Sequence, residues 1–171
     1  MSVSADFLGI YYSGASSHEQ NQDNPSLSLG GFRSGVMVSN AMLNNIFDEL
    51  GIYELNTGQS VYRCIFIKNN HTTDVITNLS LYISGKKDFE TIKFGVSSPA
   101  NNVSAVQFLN SQESSPYNIS FNQAYVVGDK ITLISSLPAQ GVIALWLNRE
   151  INSGATLRNA DAVLNFNFAW E

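Results

Sequence analysis

Charge is what this sequence has least of. Of 171 residues, 9 are Lys or Arg and 14 are Asp or Glu, so charged side chains make up 13% of the chain, about half the usual share. The polar surface must therefore come from Asn, Ser, Thr and Gln. A neutral, hydrogen-bonding exterior suits sheets packed against other protein, where a desolvated Lys or Glu is costly and a desolvated amide can find a partner. The formal net charge is −5, and Lys86-Lys87 is the one basic doublet. Both argue against nucleic acid as the principal partner, because neutralising phosphates takes clustered Lys and Arg. The doublet itself, in Gly85-Lys86-Lys87-Asp88, reads as a solvated turn.

Reactive side chains are equally sparse. The single cysteine, Cys64, has no internal disulfide partner, and its setting in Val61 to Ile67 reads as that of a buried apolar thiol. The only histidines, His18 and His71, fall in polar stretches that read as solvated loops, which leaves little with which to activate a nucleophile. Neither an HExxH pair, a CxxC pair nor the full calcium-loop spacing occurs, so neither a metal nor a cofactor is expected. Asp48, Glu49 and Glu54 are close in sequence but read as a helix end and turn, since sequence proximity does not aim two carboxylates at one bond. Gly30-Gly31 lacks the surroundings of a phosphate loop and reads as a turn. No apolar run approaches the ~20 residues of a membrane span. Met1 to Asp6 lacks a basic region followed by an apolar stretch. The expectation is a non-enzymatic chain made in a reducing cytoplasm, with no membrane partner.

What the sequence does contain is alternation. From Asp161 to Glu171, Ala162, Leu164, Phe166, Phe168 and Trp170 alternate with Val163, Asn165, Asn167 and Ala169, the period-two pattern of a strand with one apolar face. Phe7 to Tyr12 reads as a first strand and Ser60 to Lys68, nearly continuous in apolar residues, as a central one. Val75 to Ile83 follows after a turn and is expected to form a hairpin with it. Further strands are expected at Phe89 to Val96, Val103 to Leu109, Tyr117 to Asn122, Lys130 to Ser135 and Val142 to Arg149. Asn40 to Leu50 is the helical candidate, with Leu43, Ile46, Phe47 and Leu50 at helical spacing and Gly51 placed to stop it. Short strands separated by turn residues predict an all-β chain, a single antiparallel β-sandwich of Ig-like or jelly-roll-like type with one short helix; a barrel is the runner-up.

Residues 13–31 form a long polar stretch with almost no apolar residue before Leu27. A loop that long is unusual in a compact domain. It reads either as a flexible excursion or as an arm ordered by a neighbouring subunit, with Leu27, Leu29 and Phe32 as apolar anchors. Tyr53 joins these three as a candidate subunit-interface residue. The aromatics Tyr11, Tyr12, Tyr53, Tyr117, Tyr125 and Trp146 are the side chains with which a sugar ring would stack, although strands favour aromatics for packing alone.

Several segments carry a family resemblance. They are Phe7 to Gly14, Leu27 to Phe32, Asn45 to Glu49 leading to Tyr62 to Asn69, Leu81 to Ser84, and the run Leu137 to Ile151. Over most of its length the chain resembles a family of small β-rich virion structural proteins of tailed bacteriophages. The resemblance rests on structural motifs and carries no active-site residue across. It implies a particle component on a tail, neck or baseplate scaffold or on the head surface, whose partners are other virion proteins and copies of itself. The alternative is a glycan-binding module of a receptor-binding or surface-attachment apparatus.

Overall fold

The computed structural model describes residues 7–39, 45–154 and 164–171. Among these residues nine strands and one α-helix follow one another as β1 (Leu8–Ala15), β2 (Gly30–Met37), α1 (Ile52–Thr57), β3 (Gln59–Asn69), β4 (Ile76–Ser84), β5 (Glu90–Ser97), β6 (Val106–Phe108), β7 (Ile131–Leu137), β8 (Val142–Ile151) and β9 (Asn165–Ala169). They form two antiparallel sheets, a six-stranded one in the order β5-β8-β3-β1-β2-β6 and a three-stranded one in the order β7-β4-β9. This is the expected all-β, sandwich-like arrangement with one short helix.

The alternation in β3 and β8 explains why the large sheet is buried on both faces. Their register sets Ile65 opposite Leu145 and Ile67 opposite Ile143, while Cys64 opposes Trp146 and Phe66 opposes Ala144. Successive pairs point to opposite faces. The first set joins Ile76, Leu79, Leu81 and Ile83 of β4 in the core between the sheets, against which Leu164, Phe166, Phe168 and Trp170 pack. The apolar face predicted for the chain's last strand is thus directed inward, though Ala162 and Val163 lie outside the described residues. The second set forms a smaller core beneath Leu109, Ile119, Phe121 and Leu29. A strand buried on both faces reads as a continuous apolar run, which is the composition of β3.

Five expectations need correction. The helix does not occupy 40–50: residues 40–44 lie outside the described set, 45–50 are bends and irregular backbone, and the helix begins at Ile52. Ile46 and Phe47 are buried in the main core as a plug rather than as one face of a helix. β3 and β4 are not a hairpin, because β3 pairs with β1 and β8 whereas β4 pairs with β7 and β9. The connection between them crosses from one sheet to the other around Asn69, whose fully buried Nδ2 donates to the carbonyls of Asp74, Leu137 and Pro138. His71 serves the same crossover by accepting from the amides of Thr73 and Asp74 at Nδ1, so it is not merely solvated. Residues 117–122 make no strand, only one bridge between Asn122 and Phe94; Ile119 and Phe121 nevertheless cover the second core. Of the strand expected at 103–109, only Val106–Phe108 forms.

The polar stretch is also better held than its composition suggests. The Glu19 amide donates to the carbonyl of Arg33 at 2.9 Å and the Gly35 amide to that of Gln20 at 3.3 Å. Ser34 Oγ donates to the Gln22 carbonyl and accepts from the Gln22 amide. Gly14 and Gly30 permit the close approach. Both have positive φ, and an added Cβ would stand 1.9 Å from the Leu27 carbonyl oxygen at Gly14 and 1.8 Å from that of Gln107 at Gly30. Gly30-Gly31 is the start of β2 rather than a free turn. The segment thus makes a dense set of hydrogen bonds within the chain, which neither a flexible excursion nor an arm ordered only by a neighbour would have. Nor is the Lys86-Lys87 turn simply solvated, since Lys86 Nζ lies 5.0 Å above the ring of Tyr125.

Candidate functional site

Charged side chains gather where β3 begins and β8 ends. Val61, Arg63, Leu147 and Arg149 share one face of the large sheet, because Val61 opposes Arg149 and Arg63 opposes Leu147. Arg63 is 1% exposed. Its guanidinium donates to Asp48 Oδ2 at 2.7 Å, to Gln112 Oε1 at 2.6 Å and to the Tyr62 carbonyl at 2.9 Å. Among the described residues its Nε has no partner. Burial lowers the Arg63 pKa from its ordinary value, and the Asp48 carboxylate opposes that shift.

Asp48 links three parts of the chain. Its Oδ1 accepts from Ser26 Oγ at 2.7 Å in the 3₁₀ turn Pro25–Leu27, its Oδ2 holds Arg63, and its carbonyl accepts from Arg149 Nη1 at 3.2 Å. Arg149 is held in turn by Glu90 at 3.0 Å and lies over the ring of Phe47. Phe47, Asp48, Arg63 and Arg149, with Glu49, Leu50, Glu54, Gln59, Val61 and Gln112, line a cleft of about 100 Å³. That is well below the ~300–1,000 Å³ of pockets that enclose drug-sized ligands and is room for a few waters. Asp48, Glu49 and Glu54 do meet here, but Asp48 is spent on Ser26 and Arg63, and no group of three or more His, Cys, Asp or Glu among the described residues is placed to hold a metal ion.

A second buried arginine secures the polar stretch. Arg33, 4% exposed, donates to Glu19 at 2.6 Å, contacts His18 Nε2 at 3.2 Å and lies over the ring of Tyr11. The hydrogen bond from Arg33 holds the Glu19 carboxyl below its ordinary pKa. Neither buried arginine announces itself in the sequence, since each stands in a strand where alternation alone decides its direction. The one available signal was Arg63 inside the apolar run Val61 to Ile67.

The four candidate interface residues divide. Leu27 is exposed at the end of the 3₁₀ turn and Tyr53, 75% exposed, projects from α1. Leu29 packs on the second core and Phe32 is half-buried within β2. The hydrogen bond from Ser26 to Asp48 ties the segment bearing Leu27 to the one that leads into Tyr53. Of the six aromatics, Tyr12 and Trp146 are buried, Tyr11 lies under Arg33, and the Tyr125 hydroxyl bonds to the main chain of Ile92. Tyr53 and Tyr117 remain exposed. No protein-family model, no curated protein and no solved structure matches the chain.

Proposed function

We propose that the chain is a non-enzymatic structural component of a tailed-phage virion, used in repeated copies on a tail, neck or baseplate scaffold or on the head surface. What supports the reading most is the doubly buried large sheet, with one core between the sheets and another beneath the 98–126 connection. Rigidity of that kind suits a part whose work is to keep its shape while it makes contacts repeated by symmetry. The sparse charge and the exposed Leu27, Ile52, Tyr53, Phe108 and Tyr117 fit contact with protein, and the resemblance described above points the same way. In this reading the charged cluster at Arg63 is a structural latch that fixes the entry to α1, and the partners are other virion proteins and further copies of the chain.

The rival reading, a glycan-binding module, is favoured by one observation, the exposed rings of Tyr53 and Tyr117. A glycan array separates the two. The structural reading expects no saturable binding, whereas binding abolished by Tyr53→Ala or Tyr117→Ala would transfer the chain to the rival class.

A further inference from the structure

The strands at the borders of the sheets are not treated alike. At β5 the outward main chain is met by other groups: Phe94 exchanges two hydrogen bonds with Asn122, and the Tyr125 hydroxyl bonds both the amide and the carbonyl of Ile92. Strand β2 is bordered by β6 only at Gly30 and Gly31, and beyond that pairing it is met by Glu19 and Gln20 of its own hairpin loop. Strand β7 is different. Its inner side pairs with β4, and among the described residues the one hydrogen bond it receives from outside that pairing is from Asn69 to Leu137.

The direction of its free groups follows from the ladder. Thr77 on β4 exchanges two hydrogen bonds with Glu171, on the β9 side. Residues directly opposite in an antiparallel pair either exchange both bonds or neither. Ser136, which opposes Thr77, therefore directs its amide and carbonyl away from the sheet. Unpaired edge groups form a template for another strand, and proteins usually guard such edges with charge, proline, a bulge or a cover. Within Ile131–Leu137 there is no charged residue and no proline, and the exposed side chains are Thr132, Ser135 and Ser136. One guard is present. The register passes from Ile134 to Thr132 and leaves Leu133 unopposed as a bulge, so the regular stretch runs from Ile134 to Leu137.

We infer that this stretch of β7 pairs antiparallel with β7 of a second copy about a twofold axis, joining the two small sheets into one. An antiparallel edge is complementary to itself, and hydroxyl side chains oppose their symmetry mates without repulsion. The ends are complementary as well. Exposed Lys130 precedes β7, and exposed Asp74 stands at its far end, where its carbonyl shares the Asn69 amide with that of Leu137. Antiparallel pairing directs each Lys130 toward the Asp74 end of the other copy.

The pairing is a property of the isolated chain and does not depend on the virion reading. Sedimentation equilibrium of the purified protein, up to millimolar concentration, is expected to show reversible dimerisation. Ser136→Pro removes one outward donor from each copy, and Ser135→Lys places like charges at the join. Each is expected to weaken association at least about tenfold while the circular dichroism spectrum is unchanged. A monomer at every concentration overturns the inference. So does a dimer that folded Ser135→Lys and Ser136→Pro proteins form with undiminished affinity.

Discussion

The strongest local commitments are made by single side chains whose burial the chain must compensate. Arg63 is the clearest case, because a buried guanidinium that loses its counter-charge keeps its desolvation cost. Removing one partner of a fully buried pair costs ~3–5 kcal/mol. The Asp48 side chain is 52% exposed, and Gln112 and the Tyr62 carbonyl remain bound to Arg63. The expected loss for Asp48→Ala is therefore about 2 kcal/mol by urea denaturation. Adding Arg63→Met should recover part of it, since an apolar side chain has no charge to strand. A further loss in the double variant would show that Arg63 contributes through contacts other than this pair. None of this was legible beforehand. In the sequence Asp48 reads as part of a helix end, and nothing local to it reveals an arginine fifteen residues away in the next strand.

Among the elements, strands with unbroken alternation or a continuous apolar run were the legible ones. β3, β4, β5, β7, β8 and β9 lie where the residues place them because burial of a pleated face depends on sequence alone. Pairing does not. β3 and β4 follow one another and look like a hairpin, yet β3 is apolar on both faces and needs a neighbour on each side, while the Asn69 side chain fixes a connection long enough to change sheets. α1 was missed because only Leu55 of its six residues is buried, which leaves no helical period to detect. The polar stretch was misjudged because its compensation is made of hydrogen bonds, which composition does not count. Deleting residues 16–24 is now expected to destabilise the isolated chain by about 3 kcal/mol, because buried Arg33 loses its carboxylate and the Ser34 contacts are lost. That corresponds to a fall of roughly 10 °C in Tm; an unchanged Tm would restore the picture of a free arm. Acid should act on the same contact. The Glu19 pKa is lowered in the folded chain from its ordinary 4.5, so its stabilisation is complete above that value and is lost as pH falls through the shifted one. The exposed carboxylate limits the effect to less than about 1 kcal/mol. The difference in Tm between the wild type and Glu19→Gln should accordingly be largest near neutral pH and shrink as the pH falls below 4.5.

For the whole molecule, the sandwich-like fold follows from alternation, whereas the proposed use rests on how the fold spends its residues: two cores on one sheet, arginines enclosed as latches, and an exterior of amides and hydroxyls. Such a body is suited to contact, and the proposed working form is many copies held in a larger particle. Quantitative mass spectrometry of gradient-purified phage particles decides this, using isotope-labelled peptides of this chain against those of a head or tail protein of known copy number. Multiple copies per particle are expected, in a ratio compatible with the symmetry of the structure that carries them. Particles that retain infectivity and contain none of the chain, while the lysate contains it in quantity, would contradict it.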